Sequence, residues 1–148
     1  MRNLIFTFFT LALLASCSKS ELSVADQFDV DIKLIEDYLA ANGKTAMKTP
    51  DGIYYIIEKE GSAEKPKLTS TVSVSYKGYF LDNEVFDSSS KAAFPLYSVI
   101  QGWQIGIPKF GRGGKGTLLI PSVYGYGTQE TAGRKSAVLL FDIEVFDF

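Results

Sequence analysis

Hydrophobic and polar positions alternate most cleanly in the middle of the chain and at its end. Val72, Val74 and Tyr76 interleave with Thr71, Ser73, Ser75 and Lys77. This is the period-two pattern of a strand with one buried and one wet face, and it predicts a strand over residues 69–80. Leu139, Phe141, Ile143 and Val145 interleave with Leu140, Asp142, Glu144 and Phe146; a strand so near the end of the chain needs a sheet to pin it. Residues 53–60, rich in β-branched and aromatic side chains, follow the Pro50-Asp51-Gly52 turn and end at Gly61. A short strand over 117–120 is stopped by Pro121. Leu81 to Glu84 reads as a turn into Val85-Phe86-Asp87, and Ser88 to Lys91 as a small polar loop. Residues 102–107 allow one short helix before Pro108, and 122–134 is a long loop with three glycines and two tyrosines.

The period changes near the start. Phe28, Ile32, Ile35 and Leu39 recur at spacings of four, three and four, one stripe of an amphipathic helix that Asp26 can cap and Asn42-Gly43 can end. Asp29, Asp31, Lys33, Glu36 and Asp37 lie off that stripe. The pattern favours a helix packed on the main domain over a spacer or dimerisation helix, because one stripe does not specify a coiled coil. The fold class is therefore α+β: an antiparallel sheet with one short helix, preceded by an N-terminal amphipathic helix. Before them all, Leu4 to Leu14 is an apolar run behind Arg2, too short to span a bilayer but suited to a signal peptide. It ends in Leu14-Ala15-Ser16-Cys17, which resembles a bacterial lipoprotein signal. That resemblance makes Cys17 a lipidation site and divides the chain into a signal (1–17), a tether and helix (18–50) and a main domain (51–148).

Composition narrows the chemistry. The net charge of −2 and the lack of a Lys/Arg block argue against a nucleic-acid partner. There is no histidine, which removes histidine metal sites, Ser-His and Cys-His pairs and histidine bases. Cys17 is the only cysteine and forms no internal disulfide. Gly111-Arg112-Gly113-Gly114-Lys115-Gly116 lacks the phosphate-loop spacing, since Lys115 precedes glycine rather than Ser or Thr, and reads as a surface turn. Aromatic residues make up 14% of the chain. They cluster around the single tryptophan in Val99-Ile100-Gln101-Gly102-Trp103, with Tyr76, Phe86 and Phe94 before it and Tyr126 and Phe141 after. Trp103 is expected as the floor of an apolar pocket whose walls are these five.

At these residues the chain resembles an FKBP-type peptidyl-prolyl cis-trans isomerase. The matching stretches, in the family's order, are Val74-Ser75-Tyr76-Lys77-Gly78, Val85-Phe86-Asp87-Ser88-Ser89, Phe94-Pro95-Leu96, Val99 to Trp103, Ile120-Pro121-Ser122, Tyr126-Gly127 and Leu139 to Glu144. They cover residues 52–148. The short Phe94-to-Val99 spacing is similar to the bacterial macrophage-infectivity-potentiator branch. The resemblance implies a half-open antiparallel sheet, a half-barrel, wrapped around one short helix.

It also implies the activity: rotation about X-Pro bonds in extracytoplasmic polypeptides, with neither metal nor cofactor. Tyr76, Phe86, Phe94, Val99, Trp103 and Phe141 are then the substrate-binding residues. The Ile100 N–H and the Tyr126 hydroxyl are expected to donate to substrate carbonyls, with Asp87 at the rim facing the twisting carbon. Implied partners are proline-containing polypeptides, macrolide inhibitors and, through Cys17, a membrane of the bacterial cell envelope. A low-activity peptide-binding or chaperone module is the alternative. One departure stands out: where family members carry an apolar residue and a Pro-Pro pair, residues 131–136 are Thr-Ala-Gly-Arg-Lys-Ser. An open or mobile pocket wall and weak packing on macrolides are expected there.

Overall fold

The computed structural model describes residues 22–148; Cys17 and the apolar run before it lie outside the described residues. The first described element, α1 (Val24–Ala41), is capped by Ser23 rather than by Asp26. The Ser23 hydroxyl accepts the Asp26 N–H at 3.1 Å and donates to the Asp26 carboxylate at 2.5 Å. The cap falls at serine because its oxygen reaches the free amide three residues on, while Asp26 is already inside the first turn. Asn42 and Gly43, the latter at φ 60°, end the helix as expected.

Six antiparallel strands follow: β1 (Met47–Lys48), β2 (Tyr54–Lys59), β3 (Thr71–Tyr79), β4 (Val85–Pro95), β5 (Gly114–Ile120) and β6 (Leu139–Asp147). They form one sheet in the order β1-β2-β5-β6-β3-β4. The last strand is thus central, flanked by β5 and β3, which answers its need for pinning. The short helix α2 (Gln101–Gly106) sits in the β4–β5 connection, and Pro108 lies in the single turn Ile107–Lys109 that continues it.

Two further expectations fail, the second only in part. Ser88 to Lys91 is strand, not loop. Its alternation is unreadable because the register of β4 against β3 shifts twice, between Val74/Tyr76 and between Gly78/Tyr79, and each bulge moves the next side chain off the expected face. The glycine cluster is a turn only at Arg112-Gly113, closed by the Gly114 N–H donating to the Gly111 carbonyl at 2.8 Å. Gly111, Gly114 and Gly116 are buried, and β5 starts at Gly114. A Cβ on Gly116 would lie 1.9 Å from the Ile56 carbonyl oxygen, so glycine is there to let β2 and β5 approach.

The strands bury different side chains on their two faces. On one, Val72, Val74, Leu118, Ile120, Leu139, Phe141, Ile143 and Val145 pack around Trp103, Ile107 and Phe110. On the other, Tyr54, Tyr79, Leu119 and Leu140 pack against Ile35 and Leu39 of α1. The apolar stripe of α1 therefore docks on the domain. Asp31, although off the stripe in sequence, is fully buried with it.

Candidate functional site

Where α2 meets the sheet, the first face is not filled. A cleft of about 270 Å³ opens there, lined by Tyr76, Asp87, Phe94, Ser98, Val99, Ile100, Trp103, Tyr126 and Phe141. Trp103 is its floor and only 4% exposed. Its ring lies 5.1 Å from Tyr76, 5.9 Å from Phe94 and 5.2 Å from Phe141, edge to face in every case. That arrangement suits the ring quadrupoles and walls off a fixed apolar cup. Close docking of α2 depends on Gly102: a Cβ there would meet Ile120 at 2.4 Å. Of the expected substrate-binding residues only Phe86 is absent from the lining. It stands behind, 4.9 Å from Phe80 and edge-on to Phe141 at 5.5 Å, where it sets the position of the Phe141 ring.

Three polar groups edge the cup. The Tyr76 hydroxyl donates to the Asp87 carboxylate at 2.7 Å. Burial, then this hydrogen bond, pushes the Tyr76 phenol up to about 12, so it remains a donor through neutral pH. Tyr126 is also raised, by burial first and then by the negative charge of Asp87; its hydroxyl has no hydrogen-bond partner among the described residues. The third group is the Ile100 N–H. Ile100 caps α2, and its carbonyl accepts from Trp103 and Gln104. Its amide precedes the helix and is likewise unpaired among the described residues. Gln104 shapes the approach, donating to the Val99 and Tyr97 carbonyls at 2.8 and 3.3 Å.

Ser98 and Gln104 belong to the site's surroundings and went unrecognised in the sequence. Ser98 donates to the Pro95 carbonyl at 2.7 Å; short polar residues in a loop carry no signal that separates such a clamp from solvent contact. The buried Trp103 indole N–H has no partner among the described residues. Residues 131–136 do not line the cleft, in keeping with the open wall expected there. Thr131 and Arg134 bridge, and Arg134 pairs with Asp82 at 2.8 Å and with Glu84, its guanidinium 4.3 Å from the Phe80 ring centre. Those contacts hold the loop on the β3–β4 turn. A second cavity, about 380 Å³, lies at the start of α1 and takes in Lys135 and Ser136. Among the described residues no group of acids and thiols could hold a metal, and no helix is long and apolar enough to cross a membrane.

Comparison with known proteins places this geometry. Residues 62–146 match the family model described as FKBP-type peptidyl-prolyl cis-trans isomerase. The FKBP-type peptidyl-prolyl cis-trans isomerase FkpA of Aeromonas hydrophila is 42% identical over 118 residues, 74% of this chain and 44% of that protein. The crystal structure of FkpA from Escherichia coli superposes with a TM-score of 0.71 at 32% identity, covering 83% of this chain and 61% of that one. A peptidyl-prolyl cis-trans isomerase from Pseudomonas syringae pv. tomato superposes with a TM-score of 0.72 at 27% identity, covering 86% and 96%. The chain spans about half the length of the curated relatives it matches.

Proposed function

The chain belongs to the FKBP-type peptidyl-prolyl cis-trans isomerase family, and from that premise we propose that it rotates X-Pro bonds of polypeptides outside the cytoplasm, in the cleft above Trp103. The observation that carries this reading is a cup of aromatic rings edged by two unpaired donors and one carboxylate. Rotation crosses a barrier of ~18–20 kcal/mol because amide resonance is lost in the twisted state. The pyrrolidine ring sits on Trp103 between Tyr76, Phe94 and Phe141. The planar amide is the more polar form, so a poorly hydrated cup disfavours it relative to the twisted one. The Ile100 N–H and Tyr126 hydroxyl hold carbonyls beside the proline and leave the X-Pro bond as the free axis. Asp87, fixed by Tyr76, faces the carbonyl carbon as it leaves conjugation, an electrostatic contact in place before the twist begins. No bond to a heavy atom is made or broken, and no proton is transferred.

The test is a protease-coupled assay with Leu-Pro and Phe-Pro peptides. The full chain is expected to speed cis-to-trans conversion well above the uncatalysed rate, which takes tens to hundreds of seconds. A rate equal to buffer overturns the reading.

Membrane attachment is the second part of the proposal. Leu14-Ala15-Ser16-Cys17 supports lipidation of Cys17, and several acyl chains, at roughly 0.8 kcal/mol per buried methylene, anchor a domain of this size to the cell envelope. Cys17→Ser is expected to move the protein from the membrane fraction to the soluble one; unchanged partitioning contradicts the anchor. Macrolides that fill the cup are expected to inhibit weakly, because the 131–136 loop adds no wall to it.

A further inference from the structure

Helix α1 lies outside the residues that match the family, yet a single buried contact connects it to the cleft. Asp31 is 0% exposed. One of its oxygens accepts the Ser122 N–H at 2.7 Å and the Ser122 hydroxyl at 2.6 Å. The other accepts Gln27 Nε2 at 2.8 Å. Every ion pair among the described residues involves some other acid. A carboxylate buried without a cation depends on its hydrogen bonds, so both donors of Ser122 are committed to α1.

Ser122 in turn holds the tyrosine turn. Its carbonyl accepts the Gly125 N–H at 2.9 Å and the Gly127 N–H at 2.8 Å, the residues on either side of Tyr126. The Gly127 carbonyl accepts the Ser136 N–H at 2.9 Å. Phe28 of α1 adds an edge-on contact to Tyr124 at 6.2 Å. Tyr126 thus hangs between two amides bound to one carbonyl, and the residue bearing that carbonyl is bound to Asp31.

We propose that Asp31 is a positioning residue for Tyr126, so that α1 is a working part of the catalytic site and not only a packed helix. The contact fixes the 122–127 turn and keeps the tyrosine hydroxyl over the cup; without it, a side chain already 36% exposed is free to swing into solvent. Displacing a substrate-holding group by about 1 Å is enough to cost a large factor in rate. The proposal rests on the donor role given to Tyr126 above.

The test compares variants of the full chain by kcat/KM on a Leu-Pro peptide and by the ¹⁹F resonance of fluorotyrosine at position 126. Asp31→Ala is expected to lower kcat/KM about tenfold, and Asp31→Asn, which keeps an acceptor, to recover most of that loss. In a Tyr126→Phe background Asp31→Ala is expected to add nothing, because the hydroxyl it positions is gone. Ile35→Ala, which loosens the same helix by an apolar route, is expected to lower Tm and leave kcat/KM within about twofold. If Asp31→Ala fails to fold, Ser122→Ala keeps the amide contact, and its loss of about threefold is expected to vanish in the same background. The Tyr126 resonance is expected to shift or broaden in Asp31→Ala. Additive losses in the two backgrounds overturn the proposal, as does an unmoved Tyr126 resonance. An inactive wild type overturns the proposed isomerase function instead, and the resonance still decides whether Asp31 positions Tyr126.

Discussion

The two faces of the sheet are built from the same strands and finished differently. On the α1 face the buried polar side chains among the described residues have partners. The Tyr54 hydroxyl donates to Glu36, the Tyr79 hydroxyl to Asp142, and Ser122 to Asp31; Ile35, Leu119 and Leu140 are sealed between them. On the α2 face, among the described residues, the Trp103 indole N–H and the donors of Ile100 and Tyr126 are unpaired, and aromatic rings border an open cleft. The open cleft is where the proposed polypeptide substrate would fit, and the contrast supports that site more than any one residue does.

Neighbours on β6 give the largest test, since Leu140 faces α1 and Phe141 faces the cleft. Leu140→Ala is expected to cost about 3 kcal/mol of stability and leave the activity of folded molecules unchanged. Phe141→Leu is expected to cost about 1 kcal/mol yet lower kcat/KM about tenfold. Denaturant melts and the coupled assay measure both; similar profiles for the two would dissolve the distinction between faces.

Asp87→Ala comes next. The side chain is exposed and its one partner among the described residues is the Tyr76 hydroxyl, so kcat/KM is expected to drop about tenfold with Tm nearly unmoved. A fall in Tm that tracks the fall in activity would make Asp87 a structural residue.

Alkaline titration probes both faces at once. Burial raises Tyr76 on one and Tyr79 on the other. Folded tyrosines then stay protonated while unfolded ones ionise near pH 10, and the unfolded state binds fewer protons. Stability is therefore full below about pH 10 and falls as pH rises towards 12 and beyond. Tyr79→Phe is expected to flatten that fall more than Tyr76→Phe, because Tyr79 is shifted further. Chemical unfolding at stepped pH checks the order.

The smallest effect belongs to Arg134→Ala. Its ion pairs are on the surface, so Tm is expected to fall only slightly, with kcat/KM unchanged because the loop does not line the cleft.

Much of this was legible in the sequence. The alternation in β3 and β6 reported their faces directly, and the stripe of α1 its docking side. The cup residues were found because Trp103 is unique and the matching stretches recur in order. The misses share a cause: spacing along a chain is a local signal. Two bulges broke the alternation of β4, the close approach of β2 and β5 carried the second half of the glycine cluster into strand, and nothing local to Asp31 signals its burial, because its partner Ser122 lies 91 residues away. The ion pairs of Arg134 with Asp82 and Glu84, about 50 residues away in sequence, were invisible for the same reason.

The most direct test of the central claim is exchange NMR of a Leu-Pro peptide with a catalytic amount of the full chain. Cis–trans exchange cross-peaks are expected with the wild type and strongly reduced intensity with Asp87→Ala at equal concentration. Absence of exchange with the wild type, or exchange that Asp87→Ala leaves untouched, would contradict catalysis in the cleft above Trp103.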